Sequence, residues 1–143
     1  MIVPDVNLLL YAVITAFPQH KAAHAWWEET INSSAEIGLA APAVFGFIRI
    51  ATNPRVLNPP LTVEAATGHV SAWLAQPNVS ILTPGPRHFE LAFDLLRGVG
   101  TGGNLTTDAQ LAALAIERNA EMCSNDTDFA RFPGLRWTNP LSG

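Results

Sequence analysis

The feature that most constrains the fold is a regular alternation of short apolar runs with longer segments of helical periodicity. The apolar runs predict strands at residues 1–3, 36–40, 79–82 and 121–124, and a fifth candidate at 135–138. Between them, periodicity and capping signals predict helices at 8–16, 18–32, 42–52, 63–75, 87–97 and 107–118. Because the strands are short and apolar on both sides, the pattern indicates an α/β protein with a parallel sheet of four to five strands covered by helices on both faces.

Length and composition favour a single folded domain. A chain of 143 residues can bury roughly two-thirds of its unfolded surface. Apolar residues make up 48% of the chain and charged residues only 14%, which excludes the polar, highly charged composition of disordered segments. We therefore predict one domain over residues 1–143.

Cysteine content and charge bear on the compartment and on partners. Cys123 is the single cysteine, so an internal disulfide cannot form, as is usual in a reducing cytosol. Pro4, Asp5 and Asn7 interrupt the apolar N-terminus, and no stretch approaches the ~20 apolar residues of a membrane span. The net charge of −4 argues against a broad basic face for duplex DNA. We predict a cytoplasmic protein without membrane contact whose contacts with nucleic acid are local.

Four of the five aspartates occupy positions that are predicted to converge. Asp5, Asp126 and Asp128 follow predicted strands directly, and Asp108 lies in the first turn of a helix, on its apolar stripe. Parallel strands present their carboxyl ends at one edge of a sheet, which is where ligands of such sheets bind. We therefore expect these four carboxylates to meet at that edge.

A group of carboxylates without histidine or cysteine at metal-ligand spacing predicts a site for a hard divalent cation. The acids would repel one another and destabilise the fold unless a cation neutralised them. Oxygen ligands favour Mg²⁺ or Mn²⁺ over zinc, and such an ion can activate water and polarise a phosphodiester. The predicted chemistry is phosphodiester hydrolysis, with the four aspartates as metal-binding and catalytic groups. Candidate hydrogen-bond partners of these carboxylates are Asn7, Thr106 and Thr107.

Each aspartate also has an ordinary structural interpretation. Asp5 could cap a helix, Asp108 could complement a helix dipole, and Asp126 with Asp128 could form an Asx turn. Four such coincidences at one predicted edge, in a chain so poor in charge, favour the site.

Three segments of the chain carry a family resemblance. They are Ile-Val-Pro-Asp-Val-Asn-Leu-Leu at 2–9, Asn-Leu-Thr-Thr-Asp-Ala-Gln-Leu at 104–111 and Cys-Ser-Asn-Asp-Thr-Asp-Phe at 123–129. Their order and spacing resemble the PIN-domain nucleases, among them the VapC-type toxins of bacterial toxin–antitoxin pairs. The resemblance runs the whole length of the chain. By position, Asp5, Asp108 and Asp126 match the family's metal-binding acids, and Asp128 matches a further acid that is often present.

The resemblance implies a fold, an activity and partners. The fold would be a PIN-like three-layer α/β/α sandwich, and the activity would be Mg²⁺-dependent endonucleolytic cleavage of RNA. The partners would be a second copy in a homodimer and a VapB-like antitoxin whose tail covers the site.

One acid of the family is missing. The family usually has a glutamate three residues before an arginine on the helix after the second strand, and here Gly46 stands three residues before Arg49. Asp128 and water could complete the coordination, or the domain could be a catalytically weakened module that binds RNA or its antitoxin. Arg49 and Arg55 could contact RNA phosphate or, equally, groups inside the protein.

Other residues with chemical potential have simpler interpretations. An aspartyl-phosphate enzyme would need a nearby lysine, and Lys21 is the single lysine. The helical spacing of Trp26, Trp27 and Trp73 favours a core or subunit interface over base stacking. The histidines share no motif, and His20 and His24 are interpreted as a solvated helix face. Periodicity also predicts inward-facing aromatic residues at Phe45, Phe47, Phe89 and Phe93.

Overall fold

The computed structural model of the protein describes residues 1–103 and 105–142. Within them, five strands form one wholly parallel sheet in the order β3-β2-β1-β4-β5. The strands are β1 Ile2–Pro4, β2 Ile37–Ala40, β3 Val79–Leu82, β4 Glu121–Cys123 and β5 Arg136–Thr138. The predicted parallel sheet of four to five strands is therefore confirmed, with five.

Helices alternate with the strands and flank the sheet. They are α1 Val6–Val13, α2 His20–Ile31, α3 Ala41–Ala51, α4 Val63–Leu74, α5 His88–Val99 and α6 Leu105–Glu117, followed by a 3₁₀ helix at Thr127–Arg131. Helix α1 packs on α2 and α3, and α5 packs on α6. In the described part of the chain no helix combines the length and the apolar character needed to cross a bilayer.

Burial explains why such short segments form strands. Val3, Ile37 and Met122 are fully buried, so the central strands present apolar side chains to the layers that cover them. Ile2 pairs in register with Ile37 on one side and with Glu121 on the other. Strand β1 therefore lies in the middle of the sheet, with its carboxyl end beside that of β4.

Two helices begin two residues earlier than predicted, and hydrogen bonds at their ends explain why. Helix α1 starts at Val6 because the Asp5 side chain accepts a hydrogen bond from the Val6 amide. Helix α6 starts at Leu105, which is buried, so the predicted start at Thr107 is wrong. The loop carbonyls of Gly102 and Gly103 accept hydrogen bonds from the first amides of α6 instead. Asn104, the first residue of the segment 104–111 that carries part of the family resemblance, lies outside the described residues.

The tryptophans lie in or against the core, as their spacing predicts. Trp27 and Trp73 are buried and meet edge to face with ring centroids 5.5 Å apart. Phe47 packs on Trp73, and Trp26 is partly buried against the same core. These contacts leave Trp27 and Trp73 no exposed face for stacking on a base.

Three of the phenylalanines predicted to face inward are exposed, so that prediction is wrong. Phe45 is 67% exposed, Phe89 73% and Phe93 50%. On α5 the buried residues are Ala92 and Leu95, which form a stripe adjacent to the one that carries Phe89 and Phe93. Periodicity shows that a helix has an apolar side, but packing against α6 decides which stripe is covered.

His20 and His24 do more than face the solvent. The Nδ1 atom of His20 donates to the Tyr11 carbonyl at 2.8 Å, and that of His24 donates to the Ala12 carbonyl at 3.1 Å. Both rings therefore bind carbonyl groups at the end of α1, which are free because the helix stops there. The prediction of a merely solvated face is corrected accordingly.

Candidate metal centre

The candidate site lies where the strand order reverses. From β1 the chain moves outward through β2 and β3, and it then returns to place β4 on the other side of β1. Asp5 directly follows β1, and Asp126 follows β4. The carboxyl ends of two such strands diverge into a crevice, which is the usual ligand site of open parallel sheets.

Three of the predicted carboxylates meet at this edge of the sheet. Asp108, Asp126 and Asp128 each offer an oxygen atom, and these oxygens all lie within 4.8 Å of one another. Asp108 comes from the first turn of α6, whereas Asp128 belongs to the 3₁₀ helix that follows Asp126. All three side chains are partly buried, so they remain accessible to a cation and to water.

Asp5 lies beside this trio and is held more tightly. It is only 6% exposed, and its two carboxylate oxygens accept hydrogen bonds from the Val6 amide and the Ser124 hydroxyl, each at 2.7 Å. It lines a crevice of about 450 Å³ together with Asp108 and Asp126. The structure thus brings all four predicted aspartates to one edge of the sheet, and the oxygens of three of them lie within 4.8 Å of one another.

Ser124 organises the site, and sequence reasoning missed it. Its hydroxyl accepts hydrogen bonds from Asn7 Nδ2 at 3.3 Å and from the Asp126 amide at 2.9 Å. A serine hydroxyl has one hydrogen and two lone pairs, so its hydrogen is directed at Asp5. The available signal was a polar residue directly after a buried strand, two positions before Asp126.

Of the three predicted hydrogen-bond partners of the carboxylates, only one takes part in the hydrogen-bond network of the site. Asn7 reaches the site through Ser124, and its Oδ1 accepts a long hydrogen bond of 3.5 Å from the Asn125 amide. Thr106 and Thr107 are exposed. Within residues 1–103 and 105–142, neither threonine hydroxyl bonds to a carboxylate, although Thr107 lines the crevice.

The two predicted arginines separate in space. Arg49 lines the acidic crevice from α3. Arg55 is exposed in the loop after α3, outside that lining, and its backbone amide donates to Asn53 Oδ1. The Nη1 atom of a third arginine, Arg131, lies 3.9 Å from Oδ1 of Asp128. The sequence pattern did not indicate this contact.

The ordinary structural roles of Asp5 and Asp126 also occur. Asp5 caps α1, and Asp126 Oδ1 accepts a hydrogen bond from the Asp128 amide at 2.9 Å to cap the 3₁₀ helix. A carboxylate has about four acceptor positions, so one capping bond leaves the remaining positions free for a cation. The capping and ligand interpretations are therefore compatible.

The electrostatics of the crevice favour binding of a cation. Burial raises the pKa of Asp5, and the hydrogen bonds from Ser124 and Val6 offset only part of that effect. Burial and the charges of Asp5, Asp126 and Asp128 together raise the pKa of Asp108 from 3.8 to about 7. Such a cluster is costly as a set of bare anions, and a bound cation removes that cost.

The position of the missing family acid is filled by packing between α1 and α3. Gly46 is buried on α3, and a Cβ atom added there would lie 2.7 Å from Cγ2 of Val6. A side chain at position 46 therefore needs Val6 to move, and the chain in its present form has no room for an acid there.

Comparison with known proteins identifies the family. The model of the PIN domain family matches residues 2–135. The chain belongs to the PIN domain family. It is 60% identical to ribonuclease VapC33 of Mycobacterium tuberculosis over 141 residues, which cover 99% of both chains. It is also 41% identical to ribonuclease VapC37 of the same species over 140 residues, 98% of this chain and 97% of the relative.

Solved structures show the same fold at low sequence identity. VapC20 of Mycobacterium tuberculosis, a toxin described as cleaving the sarcin–ricin loop, superposes with a TM-score of 0.68 at 14% identity, covering 95% of this chain and 99% of that one. VapBC-1 of nontypeable Haemophilus influenzae superposes with a TM-score of 0.70 at 17% identity, covering 99% of this chain and 100% of that one. The predicted PIN-like α/β/α sandwich is thereby confirmed.

The family assignment also bears on activity and metal. The resemblance to PIN-domain nucleases of the VapC type is confirmed, and the relatives named above are ribonucleases. PIN-domain nucleases generally depend on divalent metals, and this member has an acidic cluster that could bind one. The comparisons do not assign individual residues, so the ligand set remains a prediction.

Proposed function

We propose that this PIN domain is the toxin of a type II toxin–antitoxin system, an endoribonuclease that hydrolyses phosphodiester bonds in RNA at a Mg²⁺ site. The ligands are Asp5, Asp108, Asp126 and Asp128, and Mn²⁺ can use the same oxygens. The observation that carries the proposal is the approach of three carboxylate oxygens to within 4.8 Å of one another at the strand-order reversal. Asp5, held rigidly beside them, completes the set.

The donor set fits a small hard cation. Its members are carboxylates, and Mg²⁺ is commonly bound through one or two carboxylates, with water and substrate phosphate supplying the other ligands. The absence of an acid at Gly46 therefore leaves enough protein ligands. When bound, the ion supplies Lewis acidity toward the phosphate and lowers the pKa of a bound water.

The residues of the chain supply orientation and charge. Ser124 and the Val6 amide hold Asp5 in one orientation, so its free lone pairs point in fixed directions. Without an ion, burial and the neighbouring carboxylates raise the pKa of Asp108 to about 7, so binding of a cation near neutral pH displaces a proton from this ligand. Arg49 places a positive charge at the rim of an otherwise acidic crevice, where it offsets the repulsion of an RNA phosphate.

A protein partner and a second copy belong to the same proposal. The chain is related over its length to VapC ribonucleases, and VapBC-1 is a structural neighbour, which supports binding of a VapB-like antitoxin and a homodimer. Phe89 and Phe93 stack on the outside of α5 with ring planes 9° apart, an apolar pair suited to a protein interface. The cytoplasm is the proposed compartment, since RNA is found there and Cys123 is a free thiol.

A second candidate function is a catalytically weakened module that binds RNA or its antitoxin. The observation in its favour is that Gly46 stands where the family usually has an acid, and that Val6 lies where a side chain at position 46 would begin. Soaking crystals with Mn²⁺ addresses this candidate. Density at the aspartates without cleavage of any RNA would favour the module, and an empty site without cleavage would count against both.

The test of the nuclease proposal is cleavage of total bacterial RNA by the purified chain in Mg²⁺, Mn²⁺ or EDTA, with the new RNA ends sequenced. Asp5→Asn and Asp108→Asn should abolish both cleavage and toxicity while the fold persists. Asp94→Asn is the matched control, because Asp94 is an exposed residue of α5 paired with Arg97 at 3.0 Å. If the Asp5 and Asp108 variants stay as toxic as the parent, the proposed ligands are wrong.

A further inference from the structure

A second groove opens beside the acidic crevice. It has a volume of about 680 Å³ and lies between the start of α1, α3 and the first turn of α6. Val6, Arg49 and Thr107 line both this groove and the crevice. The two depressions are therefore adjacent, and an RNA chain bound across the aspartates would reach the groove.

The groove has an apolar wall and carries one charge. Phe45, 67% exposed, and Ile48 present apolar surface to it. Arg49 is the single charged side chain among the residues that line it. Such a surface suits a ligand that combines a flat apolar group with a negative charge.

Gly46 contributes neither a side chain nor a charge to the lining of the groove. The residue lines the groove without a side chain, and an added Cβ would approach Val6. A glutamate at this position would crowd Val6 and would add a negative charge to the lining of the groove. The substitution that removes an acid from the metal site thus also produces an uncharged apolar surface next to it.

We propose that this groove binds a nucleobase of the RNA next to the scissile phosphodiester, with the base stacked on Phe45 and Arg49 contacting the phosphate that links the groove to the acidic crevice. The inference rests on the proposed ribonuclease function. A nucleotide matches both properties of the groove, because its base is flat and apolar on its faces and its phosphate is an anion. Stacking of a base on an aromatic side chain contributes about 1–3 kcal/mol.

The test compares variants of Phe45 on total bacterial RNA in the metal that supports cleavage. Phe45→Ala should lower kcat/KM roughly 5- to 150-fold, the rate equivalent of the stacking energy. The loss should fall mainly on KM, because stacking contributes to binding of the ground state as well as the transition state. Phe45→Trp should retain activity, and the base preference at one position next to the cut should weaken in the alanine variant alone. Val63→Ala is the control, because Val63 is a 64% exposed apolar residue of α4 that does not line the groove.

Each other outcome overturns the inference in a distinguishable way. If the parent cleaves RNA and Phe45→Ala cleaves it equally well with the same base preference, the groove holds no base and the nuclease proposal stands. If Phe45→Ala instead loses binding of the antitoxin, or turns a dimer into a monomer on size exclusion while cleavage is unchanged, a protein occupies the groove. If the parent cleaves no RNA with either metal, the proposed function fails and this inference fails with it. Circular dichroism of each variant verifies that it is folded.

Discussion

Replacing Asp108 by asparagine is expected to stabilise the metal-free protein at neutral pH. Asparagine has nearly the shape of aspartate but no charge, so it removes the electrostatic cost of the crevice while it preserves packing. Burial and the neighbouring charges of Asp5, Asp126 and Asp128 raise the pKa of Asp108 from 3.8 to about 7. Its ionisation is therefore unfavourable in the folded chain and ordinary in the unfolded chain.

The sign and size of the effect follow from this difference in pKa. Below about pH 4 the carboxyl group is protonated in both the folded and the unfolded state, so it does not lower the free energy of unfolding. As the pH rises, the unfolded state releases the proton first, so the free energy of unfolding falls until the pH passes about 7. A difference of this size corresponds to at most about 4 kcal/mol. Because Asp108 is only partly buried, solvent screening reduces the effect, and we expect about 1–2 kcal/mol.

The assay is urea unfolding in EDTA, followed by tryptophan fluorescence, from pH 4 to pH 8. The asparagine variant should match the parent near pH 4 and exceed it by the expected amount at pH 8. Addition of Mn²⁺ at pH 8 should then stabilise the parent strongly and the variant weakly, since a ligand stabilises the folded state more when it binds more tightly. A difference between the proteins that does not change with pH, or a variant that is less stable at pH 8, would refute the reasoning.

Three further predictions concern the support of the site and the fold. Ser124→Ala leaves a buried oxygen of Asp5 without its hydrogen-bond donor. It should therefore lower the free energy of unfolding by about 1–3 kcal/mol and weaken Mn²⁺ binding measured by calorimetry. An unchanged affinity for Mn²⁺ would contradict the role of Ser124. Gly46→Ala should lower the free energy of unfolding by about 1–3 kcal/mol, because the added methyl group crowds Val6. The loss should be smaller in a Val6→Ala background, and a double-mutant cycle with urea unfolding measures the difference. Thr62→Ala removes the hydrogen bond from the Ala65 amide that caps α4 and should lower stability by about 1 kcal/mol, a loss that the same titration detects.

The local pattern of the chain was sufficient for the order of its elements and for the convergence of its aspartates. Strand and helix periods are properties of neighbouring residues, and they predicted β3 at its observed bounds, Val79–Leu82. The parallel arrangement follows from strands that are apolar on both sides. Once the strands are parallel, residues that follow β1 and β4 must share an edge, so the amino-acid pattern alone is enough to bring Asp5 and Asp126 together.

Contacts between distant segments could be settled only by the fold itself. Ser124 bonds to Asp5 across 119 positions, and no local period indicates which polar residue after a strand will meet a given carboxylate. The same holds for Gly46 and Val6, which meet because α1 and α3 pack together. It holds also for Phe45 and Phe89, whose exposure depends on which apolar stripe the neighbouring helices cover. Periodicity acts over a few residues along the chain, whereas burial depends on surfaces that come together only when the whole chain is folded.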